Sequence, residues 1–165
     1  MRGDVVVSVV ILGISQDGGL PQVGCQKICC EGARKEPNLV RFPVALGIKG
    51  TDSSFHLVEA SREMARQFDI WASVGGFTGD LSSLCLTHAH FGHVDGLGLF
   101  GKEVMGAKGL ITHCSHAMVS LLNKTPAWSE LLQQEVLLPR PWNADSPFEP
   151  TEKCGFTITP ILVPH

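Results

Sequence analysis

Three histidines stand close together in the stretch "LCLTHAHFGHVDGLGLFG", which covers residues 84–101. His88, His90 and His93 fall within six positions and are three of the chain's seven histidines. Alternate residues of an extended chain point to the same side, so the first two imidazoles can face one point. If the chain turns helical after His90, then His90 and His93 lie one turn apart on one face. The spacing therefore lets three rings converge, and three imidazoles with an open position form a catalytic metal site.

A polar turn whose histidines face water is the alternative explanation of this cluster. A lone histidine after a strand would favour that explanation. Three histidines at this spacing, behind the apolar "SLCLT", favour a metal site. Zinc is the expected ion, and iron or manganese are also compatible, because imidazole suits several metals.

A second group of metal-binding side chains lies upstream, where Cys25, Cys29 and Cys30 occur in "GCQKICC". Three thiolates require a fourth ligand for a closed tetrahedral zinc site. The segment has no Cys-x-x-Cys pair, so a structural metal and three reduced thiols in a loop are both open. Six cysteines in a chain of this size do not make a disulfide scaffold, and we expect a reducing compartment, the cytoplasm.

The bulk composition is that of one folded domain spanning residues 1–165. Hydrophobic residues make up 44% of the chain and charged residues 18%, which excludes a disordered chain. The net charge of −3 gives no basic surface for nucleic acid. No apolar run approaches the roughly 20 residues that a helix needs to span a bilayer, so no membrane association is expected. A small molecule is the expected substrate.

Strand and helix patterns alternate along the chain and provide the frame for the histidines. Apolar and alternating runs predict strands at residues 5–12, 42–50, 55–60, 81–88, 108–113 and 155–165. Helical spacing and capping residues predict helices at 61–71, 94–106, 115–124 and 127–135. Residues 25–41 are predicted to be polar and irregular, and His56 is predicted to face solvent from its apolar strand. Strands mixed with helices indicate an α/β or α+β layered architecture.

The histidine segment "THAHFGHVDGL" resembles the metal-binding motif of the metallo-β-lactamase fold, whose usual form is His-x-His-x-Asp-His. Other segments are similar, in order, to the branch of that family that contains coenzyme PQQ synthesis protein B. They are "VVILGISQDGGLPQVGC", "FHLVEAS", "FGKEVMGAKGL" and "ITPILVPH". The resemblance covers essentially the whole chain and implies the N-terminal portion of an αββα sandwich. It also implies a metal-dependent hydrolase of ester, phosphodiester or amide bonds that uses a metal-activated water.

The resemblance assigns roles to individual residues. His88, His90 and His165 match ligands of the family's first metal position. His93 matches a ligand of the second metal position, or a residue that orients water. Glu59 stands where the family usually has an aspartate at a strand end, which makes it a further candidate for the catalytic site. The cysteine cluster matches the place where some relatives carry a cysteine-bound structural zinc.

The chain also departs from the family pattern in ways that bear on its activity. The motif aspartate falls at Gly92, which has no side chain to bind metal. Asp95 is near in sequence, but in a helix it would point away from His93. The family's last two ligands lie beyond the position of His165, so we expect one metal at most. A non-catalytic or oxidoreductase-like relative is therefore the alternative, and an open sheet edge would favour a homodimer.

Overall fold

A six-stranded sheet forms the frame of the protein in the computed structural model, which describes residues 6–164. The strands are β1 Ser8–Gly13, β2 Ala45–Lys49, β3 Phe55–Val58, β4 Ser83–Cys85, β5 Leu110–Ser115 and β6 Leu137–Trp142. They follow one another across the sheet in chain order. β1, β2 and β3 pair antiparallel, whereas β3, β4, β5 and β6 pair parallel. This mixed sheet, flanked by helices, confirms the predicted α/β architecture.

Helices connect or flank these strands within residues 6–164. They are α1 Ile28–Lys35, α2 Met64–Gly75, α3 Phe91–Val94, α4 His116–Lys124 and α5 Pro126–Gln133, with 3₁₀ helices at Pro37–Leu39 and Leu97–Phe100. The predicted cap of α4 is present, since Ser115 Oγ accepts a hydrogen bond from the Met118 amide at 3.1 Å. In the described part of the chain, no helix combines the length and apolar character that a bilayer crossing requires.

Helix α2 packs against one face of the sheet through the buried Trp71. Its indole stacks on Phe77 with ring centroids 4.5 Å apart and meets Phe55 edge-on at 5.4 Å. Gly47 in β2 makes room for this indole, because a Cβ there would lie 2.3 Å from the ring. Aromatic side chains bury large apolar areas, so this cluster fixes the helix that follows Glu59.

The opposite face of the sheet is covered over its parallel strands by the segment after β6. The ring of Phe148 stacks on His113 with centroids 4.6 Å apart, and Phe156 meets His56 edge-on at 5.1 Å. His56 is consequently only 2% exposed. The prediction that His56 faces solvent is wrong, because the covering segment comes from a distant part of the chain.

The same face stays open at β1, which is an edge strand of the sheet. Val9 pairs with Ile48 and Ile11 with Leu46, so these apolar side chains share one face. Val9 and Ile11 are 57% and 63% exposed. The described structure thus carries an apolar patch at this edge of the sheet.

Three predicted elements differ in the structure. Residues 25–41 contain α1 and a 3₁₀ helix, so the prediction of an irregular segment is wrong. The helix predicted at 94–106 shrinks to a 3₁₀ helix, since its glycines favour turns over helix. Of the strand predicted at 155–165, the described residues 155–164 form one bridge, between Ile158 and Phe148. The sheet ends instead on β6. The sequence does not predict this strand because it contains Pro139 and Pro141, which a sheet tolerates at its edge.

Candidate metal centre

The histidine motif lies beyond the carboxyl end of β4, where the chain leaves the sheet and enters α3. The backbone is still extended at His90, with φ −62° and ψ 145°. It then turns helical, and the amide of His93 donates to the carbonyl of His90 at 3.0 Å. The ring centroid of His88 lies 4.7 Å from that of His90 and 4.1 Å from that of His93. An extended stretch followed by a helical turn therefore brings the three rings together.

Glu59 enters the same site from the neighbouring strand β3. Because β3 and β4 are adjacent and parallel, their carboxyl ends meet at one edge of the sheet. Glu59 takes a left-handed φ of 69°, which costs conformational energy for a non-glycine residue and turns its chain away from the sheet. The residue is 3% exposed, and Oε2 accepts a hydrogen bond from the Thr87 amide at 3.3 Å. A buried carboxylate thus lies directly beneath the histidines.

The hydroxyl of Thr87 determines which ring nitrogen His88 presents. A hydroxyl has one proton, and Thr87 donates it to Oε1 of Glu59. The same hydroxyl oxygen lies 2.8 Å from Nδ1 of His88, so Nδ1–H must be the donor of that bond. In a neutral His88, this bond places the lone pair on Nε2. This is the tautomer of a histidine that binds metal through Nε2 and is oriented through Nδ1.

His93 lies between two carboxylates. Its Nδ1 is 3.2 Å from Oε1 of Glu59, and its Nε2 is 3.5 Å from Oδ1 of Asp17. Nδ1 is buried, and among the described residues no group forms an aligned hydrogen bond with it. The Glu59 carboxylate raises the pKa of His93, and burial opposes that shift. A buried nitrogen with no aligned hydrogen bond is a polar atom that a bound ion or a proton would satisfy.

Donor atoms of Glu59, His88 and His93 all lie within 4.8 Å of one another. Among residues 6–164, these three residues form the group of at least three histidine, cysteine or acidic side chains whose donor atoms all lie within that distance of one another. Two imidazoles beside a carboxylate suit zinc, iron and manganese. The residues therefore fit a divalent metal ion. His165 lies outside the described residues, and its role as a ligand stays a prediction.

Sequence comparison finds relatives but no matching family model. Coenzyme PQQ synthesis protein B of Rhodopseudomonas palustris (strain TIE-1) is 27% identical over 168 residues, covering 96% of this chain and 53% of the relative. The protein of the same name from Methylobacterium radiotolerans is 27% identical over 164 residues, covering 93% of this chain and 52% of the relative. The chain thus spans about half the length of the curated relatives that it matches.

Comparison with solved structures also finds a protein of this name, among others. Zn²⁺-bound PqqB from Methylobacterium extorquens superposes with a TM-score of 0.73 at 18% identity, over 88% of this chain and 49% of that one. The metallo-β-lactamase fold protein YhfI from Bacillus subtilis gives 0.59 at 18% identity, over 93% and 52%. The chain has the metallo-β-lactamase fold. A diphosphatase from the PhnP family, with a TM-score of 0.65 at 16% identity over 87% and 52%, is a further structural neighbour.

One residue beside this candidate site is not indicated by the sequence pattern. Asp17 lies in a glycine-rich loop that the pattern identifies only as a turn. It packs against Gly92, where a Cβ would lie 2.4 Å from the Cα of Asp17. The sequence gives one indirect signal of this contact. Gly92 stands where the histidine motif usually has an aspartate, and the space of that missing side chain is filled by Asp17. Asp95 points elsewhere, as its helical position predicts, because its carboxylate pairs with Arg62.

The cysteine cluster forms no comparable arrangement within residues 6–164, since its thiols are in no set of three donors within 4.8 Å. Cys30 is buried and its Sγ accepts a hydrogen bond from the Gln22 amide at 3.5 Å, whereas Cys29 is exposed. The guanidinium of Arg34 donates to the carbonyl of Cys25 at 2.6 Å. A structural zinc on these cysteines stays a prediction.

A cavity of about 530 Å³ opens beside His88 in this metallo-β-lactamase fold. Val58, Leu86, Trp142 and Phe148 form apolar walls, and residues 158–163 close another side. A cavity of this size and character suits a small organic molecule. The histidines thus border a space in which such a molecule can lie.

Proposed function

We propose that the protein is a metal-dependent hydrolase that cleaves an ester, phosphodiester or amide bond in a small molecule. The convergence of the His88 and His93 imidazoles on the buried Glu59 carboxylate, with donor atoms of the three residues within 4.8 Å of one another, carries this proposal. The neighbours support it, since one is described as Zn²⁺-bound and another as a diphosphatase. These descriptions belong to those proteins, and their chains extend well beyond the region that this chain matches.

In the proposed site, His88 and His93 bind the metal through Nε2, with His90 beside them. Glu59 is a positioning residue for both ligands. It holds His88 through the Thr87 hydroxyl, and its Oε1 lies 3.2 Å from Nδ1 of His93. Such carboxylate–histidine arrangements fix the ring orientation and make the ligand nitrogen more basic. Zinc is the first candidate, and manganese or iron fit the same donors.

A divalent ion held by these residues would make a hydroxide nucleophile available near neutral pH, by lowering the pKa of a bound water, and would polarise the bond to be cleaved. The protein positions the substrate through the cavity beside His88. The apolar walls of that cavity, with Trp142 and Phe148 among them, exclude water from the buried part of the substrate. We therefore propose a substrate that carries an apolar group next to its hydrolysable bond.

Metal analysis combined with turnover tests the proposal. We expect the purified wild-type chain to retain zinc or manganese, and His88→Ala to lose it. His116→Ala is the matched control, because His116 lies exposed at the start of α4. The metal-loaded wild type should hydrolyse bis(p-nitrophenyl) phosphate or p-nitrophenyl acetate, and His88→Ala should not. A folded wild-type protein that binds no divalent metal contradicts the proposal.

A second candidate function is metal binding without hydrolysis, as in a non-catalytic or oxidoreductase-like relative. Gly92 favours it, because a glycine gives the motif no carboxylate of its own. The same experiment separates the two candidates. Metal that is lost in His88→Ala, together with no turnover of either model substrate, supports the second candidate over the first.

A further inference from the structure

Asp17 is held in place by a loop that is tied to the chain beside β2. The amide of Ser15 donates to the carbonyl of Phe42 at 2.9 Å, and the Val44 amide donates to the carbonyl of Ser15 at 3.1 Å. Leu20 and Arg41 exchange two backbone hydrogen bonds, of 2.8 Å and 2.9 Å. These bonds on both sides of position 17 fix the loop relative to the sheet.

The anchored loop presses Asp17 against the backbone of the histidine motif. A Cβ built on Gly92 would lie 2.4 Å from Cα and 2.9 Å from Cβ of Asp17. Real side chains do not approach this closely, so position 92 accepts only glycine while the loop lies there. Asp17 therefore occupies the space that a side chain at position 92 would need.

The carboxylate of Asp17 faces the outer nitrogen of His93. Oδ1 lies 3.5 Å from Nε2, which is longer than an N–H···O hydrogen bond normally is. Two ligands that share a zinc ion tetrahedrally, each at about 2.0–2.2 Å, stand about 3.4 Å apart. The inner nitrogen, Nδ1, faces Glu59 instead. The 3.5 Å separation of Oδ1 and Nε2, which an ion pair of Asp17 with a protonated His93 also allows, is close to that of two atoms that ligate one ion.

We propose that Asp17 is a metal ligand of this site and shares the ion with Nε2 of His93. This inference rests on the proposed metal centre and adds a ligand that the histidine motif does not contain. The side chain of Asp17 is 41% exposed, so its carboxylate also faces the solvent from which ion and substrate arrive. The loop thus provides, through Asp17, the carboxylate that Gly92 lacks. An oxygen ligand of this kind favours manganese, iron or zinc over copper(I).

Metal affinity of the 165-residue chain tests this assignment directly. Asp17→Asn keeps the size of the side chain and removes its charge, so the packing on Gly92 is preserved. We expect it to weaken Zn²⁺ and Mn²⁺ binding, measured by competition with a chelator, by at least about tenfold. Asp69→Asn, an exposed position on α2, is the matched control and should bind as the wild type does. The absorption spectrum of bound Co²⁺ should also change in Asp17→Asn, because its ligand set changes.

The outcomes separate this inference from the proposed function. Wild-type affinity and an unchanged Co²⁺ spectrum in Asp17→Asn, with metal lost in His88→Ala, overturn the role of Asp17 and leave the metal centre standing. A wild-type chain that binds no divalent metal overturns both proposals. Equal melting temperatures of the metal-free wild type and Asp17→Asn show that a weakened affinity does not come from a damaged fold.

Discussion

The buried His56 makes the stability of the protein depend on pH within a defined window. Burial lowers the pKa of His56 from 6.5 to about 4, with the Asp52 carboxylate opposing the shift and His113 adding to it. Its ring lies between two hydroxyls, with Nε2 2.7 Å from Ser54 Oγ and Nδ1 2.8 Å from Ser83 Oγ. The folded protein therefore keeps this imidazole neutral at pH values where an unfolded chain protonates it.

The direction of the effect follows from which state binds the proton first. Because the folded-state pKa lies below 6.5, the unfolded chain gains a proton first as the pH falls, and the folded state loses stability. The loss begins near pH 6.5 and is complete near pH 4. The gap between 6.5 and about 4 corresponds to about 3 kcal/mol, since each pKa unit is worth about 1.4 kcal/mol. The pKa of His113 is also lowered by burial, which adds a loss of the same sign.

Urea unfolding followed by tryptophan fluorescence measures this effect. The wild type and His56→Gln are compared from pH 7 to pH 4 with a chelator present, so that no metal contributes. His56→Gln keeps a polar side chain near Ser83 but cannot titrate in this range. We expect the wild type to lose about 3 kcal/mol more of its unfolding free energy over this range than the variant does. His116→Gln, at an exposed position, should follow the wild type. Parallel curves for the wild type and His56→Gln would refute the reasoning.

Three further changes test other parts of the structure. Thr87→Val removes the hydroxyl that orients His88, and we expect zinc affinity to fall about 10–100-fold in a chelator competition. Gly92→Ala drives a Cβ into the Asp17 backbone and should cost about 1–3 kcal/mol in urea unfolding, whereas Gly98→Ala, which meets open space, should cost less. Ile11→Lys places a charge on the exposed edge strand β1 and should reduce any self-association seen in sedimentation across a concentration series. An affinity, a stability or a sedimentation profile equal to the wild type contradicts the respective expectation.

The histidine cluster is predictable from the sequence because its geometry is local. His88 and His90 need only an extended backbone, and His93 needs only one helical turn after them. Both conditions are visible in the residues themselves. Glu59 was indicated by the resemblance, and its approach follows from one parallel strand pair, β3 with β4.

Asp17 and His56 were not predictable in the same way. The position of Asp17 depends on a loop that is bonded to residues 41–44, and no local pattern records that contact. The burial of His56 depends on Phe156, which reaches it from the far end of the chain. The sequence does not predict strand β6, because Pro139 and Pro141 disfavour a strand except at the edge of a sheet. For Asp17 and His56 the deciding contact joins segments that are distant in sequence.

The division of the site between two chain segments has a consequence for the order of folding. Residues 55–94 form one strand–helix–strand unit followed by α3, and this unit contains Glu59, His88 and His93. Contacts within such a unit close short loops, so they form at low entropic cost. Asp17 lies in the long connection between β1 and β2, and it reaches the site only when the β1–β2 pair docks on α2. During refolding, the histidine pocket should therefore assemble first and the proposed ligand Asp17 should join it in a later step, so that binding of the proposed metal ion would report completion of the native fold.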